Sequence, residues 1–205
     1  METQIIPAEE PTTIPHAADV LAHNGVVAFP TDTVYGIGAL AFEEEAIERL
    51  YFIKGRSHSK AIAILISDID ELELVTPNPG KMALEIAKRF WPGPVTMVLP
   101  RHPNVPDTFS ALPTIGVRIP DHPVALALLR EAGPLGVTSA NLSGSANTSS
   151  AEEVIAQLDG RVHLIIDGGA TPGKVPSTVV DLTTPEVRIL RQGPVTMKDL
   201  ESVLA

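Results

Sequence analysis

Apolar positions along the chain fall into two rhythms. An unbroken run at 61–66 predicts a strand buried on both faces, and 26–29 predicts a shorter buried one. Further strands are expected at 95–99, 115–119, 137–139, 164–167, 178–181 and 187–190. Helical spacing marks 17–23, 43–53, 68–74, 81–90 and 124–132, the last ended by Gly133-Pro134. Ser150 with Glu153 has the capping-box spacing for a helix through 158, and Thr196 is placed to cap a final helix. Strands and helices are interspersed, but little helix separates the last strands. The pattern predicts a single α/β domain, with a twisted sheet of mixed parallel and antiparallel strands flanked by helices.

The 19 prolines lie mainly between these segments and punctuate them. The core is expected over about 12–200, with 1–14 as a loose arm and 31–38 as a polar turn segment. Neither a signal core nor a membrane-spanning apolar run is visible, so a cytoplasmic protein without membrane contact is expected. There is no cysteine, which excludes a thiol nucleophile and a disulfide framework. A net charge of −10 argues against a broad nucleic-acid footprint, because phosphate contacts need clustered cations.

Several motifs fail on context. Gly36-Ile37-Gly38-Ala39-Leu40-Ala41 fits a relaxed dinucleotide fingerprint, but its first glycine falls well past the strand at 26–29. The stretch 168–175 is a near-miss to a phosphate-binding P-loop; Val175 stands where a hydroxyl is needed, and a β-like segment follows. Ser139 lacks a nucleophile elbow, and the six histidines show no metal spacing.

Strand ends carry the more telling pattern. Lys54, Arg56, Lys60, Arg118 and Arg191 fall beside predicted strand ends, together with Thr33, Thr114, Thr138, Ser139 and Ser177. Loops at strand ends converge on the ligand crevice of open α/β sheets. Taken singly, each cation has the ordinary reading of a solvated surface charge. An acidic chain that sets them beside short hydroxyl residues at successive strand ends predicts a pocket for an anionic ligand.

Six blocks are more specific. They are Phe29-Pro30-Thr31-Asp32-Thr33-Val34-Tyr35-Gly36-Ile37-Gly38, Lys54-Gly55-Arg56, Trp91-Pro92-Gly93-Pro94-Val95-Thr96, Val117-Arg118-Ile119-Pro120, Thr138-Ser139-Ala140-Asn141-Leu142-Ser143-Gly144 and Pro176-Ser177-Thr178-Val179-Val180-Asp181. In this order they resemble the YrdC-like family of L-threonylcarbamoyladenylate synthases, in its short single-domain form. The resemblance implies a basic cavity and a reaction of ATP, L-threonine and bicarbonate that gives threonylcarbamoyl-AMP and pyrophosphate. A downstream transferase complex would then modify tRNA next to the anticodon, with weak tRNA binding by this chain an open question.

Carried over by position, Lys54, Arg56, Ser139 and Asn141 match the catalytic set. Arg56, Lys60, Thr114, Ala140, Thr148 and Arg191 match ATP-binding positions, and Thr33, Arg118, Thr138 and Ser177 match threonine-binding ones. Magnesium would arrive with ATP, since no carboxylate cluster is set aside for it. Ser57 and Ala61 replace prolines common in the family, and Leu65 replaces a histidine found in some relatives. The competing readings are a tRNA or double-stranded-RNA binder without its own chemistry and a carbamoyl-transfer domain like those of hydrogenase-maturation proteins.

Overall fold

The computed structural model describes residues 2–173 and 175–204. Ten strands form one sheet: β1 (Gln4–Pro7), β2 (Val27–Phe29), β3 (Gly36–Leu40), β4 (Ala63–Leu65), β5 (Val95–Pro100), β6 (Thr114–Arg118), β7 (Leu135–Ser139), β8 (Leu164–Asp167), β9 (Thr178–Asp181) and β10 (Arg188–Arg191). Their spatial order is β1-β8-β2-β3-β7-β4-β6-β5-β9-β10. Parallel pairs (β1 with β8, β2 with β8, β4 with β6, β5 with β9) are interleaved with antiparallel ones, so the sheet is mixed as the pattern predicts.

The helices are α1 (Thr13–Ala22), α2 (Glu44–Lys54), α3 (Leu72–Val75), α4 (Gly80–Phe90), α5 (Pro123–Ala132), α6 (Ala151–Leu158) and α7 (Met197–Leu204). Two apolar clusters lie on opposite faces of the sheet. On one, Ala17 and Leu21 of α1 and Ala125, Leu128 and Leu129 of α5 pack with Val27, Phe29, Leu164 and Ile166. On the other, residues from α2, α4, α6 and α7 pack with Ile64, Val95, Met97, Leu99, Ile115 and Val117. Burying each such side chain stabilises by roughly 1.5–3 kcal/mol before the entropy of ordering is subtracted.

Strand alternation makes the functional face. In β5 and β6, Val95, Met97, Leu99, Ile115 and Val117 enter the core, which turns Thr96, Val98, Gly116 and Arg118 to the opposite side. There they line a cavity.

Two expectations are corrected. Of the stretch 1–14, the described residues 2–14 form no loose arm: β1 pairs with β8, Thr3 Oγ1 donates to the Val162 carbonyl, and α1 begins at Thr13. A strand of four residues carries too few positions for alternation to show, and as an edge strand it pairs only along the side that meets β8. The turn segment at 31–38 is likewise shorter than expected, because Gly36-Ile37-Gly38-Ala39-Leu40 is β3, between β2 and β7. Its glycines allow close packing: a Cβ at Gly36 would lie 2.8 Å from Val137 Cγ1, and one at Gly38 would lie 3.0 Å from the Phe29 ring.

Candidate active site

The cavity holds about 250 Å³ and opens on the face of the sheet that β4, β5, β6, β7 and β9 share. Thr33, Arg56, Arg118, Thr138, Ser139, Ser177 and Arg191 all line it. These seven residues are spread over 158 positions of sequence, from Thr33 to Arg191, and come from six separate segments.

Arg118 closes β6 and is buried. Its Nε donates to the Gly93 carbonyl at 2.9 Å, its Nη1 to Thr33 Oγ1 at 3.1 Å and its Nη2 to the Asp32 carboxylate. Burial lowers its pKa and the Asp32 charge opposes that, so the buried guanidinium keeps its charge through a matched partner. Asp32 also accepts the Asp121 N–H at 3.1 Å, which fixes the chain just past β6 to the turn before β3.

Arg191 faces the cavity because of a bulge. Ile189 pairs with Val180 and Arg191 with Val179, which leaves Leu190 as the unpaired extra residue, turned to solvent. Regular pairing would have set Leu190 opposite the cavity-lining Val179. The Arg191 guanidinium donates to the Ser177 carbonyl (Nε 3.1 Å, Nη2 2.8 Å) and to Ser177 Oγ (Nη2 3.1 Å). Arg56 donates to the Lys60 and Ala61 carbonyls. Burial lowers both pKa values, and for Arg191 the charges of Arg118 and Arg56 lower it further, since all three act on one space. Among the described residues neither Arg56 nor Arg191 is in an ion pair. Two uncompensated guanidiniums in one concavity make a site for a polyanion.

Lys54 ends α2, and its position follows from the helix's own signals. Glu44 and Glu45 sit in the first turn, Ile47, Leu50 and Tyr51 face the core, and Gly55 ends the helix at φ 57°. Lys54 does not line the cavity. Its ammonium is buried beneath the turn after β7 and donates to the Ser139 carbonyl, the Asn141 carbonyl at 2.5 Å and Asn141 Oδ1 at 3.3 Å. Burial, and secondarily Arg56, pushes its pKa down to about 7. Three oxygens facing three N–H groups favour the ammonium form. Ser139 Oγ donates to Asn141 Oδ1 at 2.6 Å, and Asn141 Nδ2 donates to the Leu142 and Ser145 carbonyls.

The other expected residues stand further back. Ala140 is buried, its N–H donates to the Tyr35 carbonyl, and its own carbonyl accepts from the buried Thr148 Oγ1. Lys60 lies in the exposed loop after Arg56, and its carbonyl receives Arg56 Nε. Thr114 opens β6 on the same face as Gly116, outside the cavity lining. The P-loop near-miss folds beside the site without a helix after it; Gly173 N–H donates to the Asp32 carbonyl at 3.1 Å. Lys174 lies outside the described residues.

Thr31, Asp32 and Thr96 belong to the site although sequence reasoning gave them no role. Thr96 was legible in principle: it is the polar member between Val95 and Met97 in a strand whose other face is apolar. The described residues hold no group of three or more His, Cys, Asp or Glu side chains that could ligate a metal. None of their helices is long and apolar enough to cross a membrane.

A family model described as telomere recombination, spanning Sua5, YciO and YrdC proteins, matches residues 19–193. A threonylcarbamoyl-AMP synthase of Bacillus subtilis is 43% identical over 194 residues, which is 93% of this chain and 56% of that protein. One from Pyrococcus abyssi is 40% identical over 92% of this chain and again 56% of its own length. The chain thus spans little more than half of these two relatives. The crystal structure of P. abyssi Sua5 complexed with L-threonine superposes with a TM-score of 0.95 at 38% identity, covering 100% of this chain and 61% of that one. Escherichia coli YciO matches with a TM-score of 0.86 at 31% identity, over 97% of this chain and 98% of that one.

Proposed function

This chain belongs to the Sua5, YciO and YrdC family, and we propose that it is an L-threonylcarbamoyladenylate synthase acting on MgATP, L-threonine and bicarbonate. The observation that carries the reading is the pair of guanidiniums, Arg56 and Arg191, which have no carboxylate partner among the described residues and share the cavity with Arg118, Thr33 and Ser177. The relatives named threonylcarbamoyl-AMP synthase, and the Sua5 structure whose fold this chain shares and which holds L-threonine, support it.

In this reading the amine of threonine forms a C–N bond to the carbon of bicarbonate, a C–O bond breaks, and water leaves, which gives an N-carboxylate. One of its oxygens attacks the α-phosphorus of ATP, the bond to the bridging oxygen breaks, and pyrophosphate leaves with that electron pair. Nothing here needs a covalent nucleophile; the protein supplies position and charge. Arg56 and Arg191 hold phosphate oxygens, with Lys60 and Thr114 further out. Arg118 takes the amino-acid carboxylate, beside Thr33, Thr138 and Ser177. Ser139 faces the reacting oxygens, Asn141 holds the Ser139 hydroxyl from outside the cavity lining, Lys54 fixes their turn from below, and Thr148 fixes Ala140. Asp32, the acid beside the cavity, is committed to Arg118, so magnesium comes as the counter-ion of the triphosphate. The product would pass to a transferase complex that modifies tRNA adenosine next to the anticodon, in the cytoplasm.

A cavity of about 250 Å³ in a chain of charge −10 favours a small anionic ligand over an RNA duplex. The test is pyrophosphate release from MgATP. Release that requires both L-threonine and bicarbonate is expected; salt-sensitive RNA binding with no pyrophosphate would overturn the proposal.

A further inference from the structure

Thr96 lies in the middle of the cavity floor. Its strand β5 pairs in parallel with β9 at Thr96↔Val179, and on the other side Thr96 falls one step beyond the Met97↔Val117 pair, next to Arg118. The side chain is buried to 5% exposure yet turned to the cavity, and its Oγ1 lies 2.8 Å from Ser177 Oγ. Ser177 Oγ also accepts Arg191 Nη2 at 3.1 Å.

A proton count follows from these contacts. A hydroxyl has one proton to give and two lone pairs. If Ser177 donates to Thr96, the Thr96 proton is left over. If Thr96 donates to Ser177, the Ser177 oxygen has accepted twice and its own proton is left over. Either way, one O–H of the pair has no protein acceptor among the described residues. Thr33 is the opposite case. The Thr31 proton goes to the Val34 carbonyl, and its oxygen receives the Thr33 and Val34 N–H groups besides the 3.0 Å contact with the Thr33 hydroxyl; Thr33 Oγ1 accepts once, from Arg118, and keeps a second lone pair. Thr33 therefore offers the cavity a lone pair, while the Thr96–Ser177 pair offers a donor.

We infer that Thr96 is a positioning residue for the amino-acid substrate: it locks the Ser177 hydroxyl so that the pair donates one hydrogen bond to an anionic substrate oxygen beside Arg118. The inference rests on the synthase reading and adds a residue to it. It also orients the ligand, with a carboxyl oxygen toward Ser177 and an N–H toward Thr33.

The test compares Thr96→Val, which keeps the shape and branching, with Thr96→Ser, which keeps the hydroxyl. L-threonine affinity is read by calorimetry, and KM for threonine and for ATP by pyrophosphate release. Thr96→Val is expected to weaken threonine binding about ten-fold, the scale of one hydrogen bond to a charged group, with KM for ATP and the melting temperature near wild type. Thr96→Ser restores wild-type affinity. Combining Thr96→Val with Ser177→Ala costs less than the sum of the single losses, because both remove the same donor. Wild-type threonine affinity in Thr96→Val, or equal impairment in Thr96→Ser, overturns the inference alone. A wild-type protein that binds no L-threonine overturns the synthase reading and this inference with it.

Discussion

Lys54 and Asn141, 87 positions apart, are joined by a hydrogen bond of 2.5 Å from the ammonium to the main-chain oxygen. A cation that meets protein carbonyls under a turn acts on the ligand through the shape of that turn. This separates Lys54 from Arg56, two residues on, which lines the cavity itself.

The pKa of Lys54, pushed down to about 7 by burial, gives that arrangement a pH signature. Loss of a proton removes one of three N–H donors and turns a lone pair toward a carbonyl. We expect kcat to fall as pH rises through about 7. Lys54→Met should lower kcat about 100-fold, the scale of one preorganised donor, and flatten the pH profile. Stability has the opposite slope. Between about 7 and the ordinary 10.5 the unfolded chain carries the proton and the folded one has lost it, so this group makes stability rise with pH across that window. Denaturation midpoints and steady-state rates over the same pH series check both; a profile unchanged in Lys54→Met removes Lys54 from the pH dependence.

Asp32 and Arg118 make the second prediction. Both side chains are largely buried, and the guanidinium has no other carboxylate partner among the described residues. Asp32→Asn keeps an acceptor but removes the counter-charge. Breaking a buried pair from one side costs about 3 kcal/mol at the low end of the usual range. For a chain of this size that is a fall of roughly 6–12 °C in melting temperature. L-threonine should raise the melting temperature of Asp32→Asn more than that of wild type, because its carboxylate supplies the missing charge. Thermal melts with and without the amino acid measure this, and equal ligand shifts would argue against a carboxylate at Arg118.

How much of this was legible in the sequence depends on the range of the cause. β8 and β9 fall on the expected 164–167 and 178–181, since their apolar runs are bounded by turn residues. The caps at Ser150 and Thr196 are present, Ser150 Oγ accepting the Glu153 N–H and Thr196 Oγ1 the Asp199 N–H, because caps are local chemistry. β3 was missed because its alternate positions are glycines, so periodicity carries little signal there. The bulge that turns Arg191 inward depends on pairing with β9, and no alternation within β10 encodes it. Lys54 is expected from its place near a strand end to be one of the pocket cations; its burial outside the cavity lining depends on a turn 87 positions away, which no local pattern encodes.

Gly173 offers the last prediction, because it tests whether the loop beside the cavity helps to shape it. Its N–H donates to the Asp32 carbonyl and its own carbonyl accepts Thr171 Oγ1, which holds 171–173 against the turn that carries Thr33. A Cβ at 173 would lie 2.6 Å from the Asp32 oxygen, 2.9 Å from Thr33 Cα and 3.0 Å from the Thr33 oxygen. These are backbone atoms and cannot rotate away, so Gly173→Ala must displace either the loop or the Thr33 turn. Displacing the turn pulls Thr33 Oγ1 from Arg118, and a misplacement on that scale should raise KM for L-threonine about ten-fold or more while the sheet core keeps its packing. Gly80→Ala is the control: its φ of 77° makes it strained, yet the added methyl meets open space at the start of α4. It should cost about 1 kcal/mol of stability and leave KM unchanged. If the two variants raise KM equally, the loop has no specific part in forming the amino-acid site.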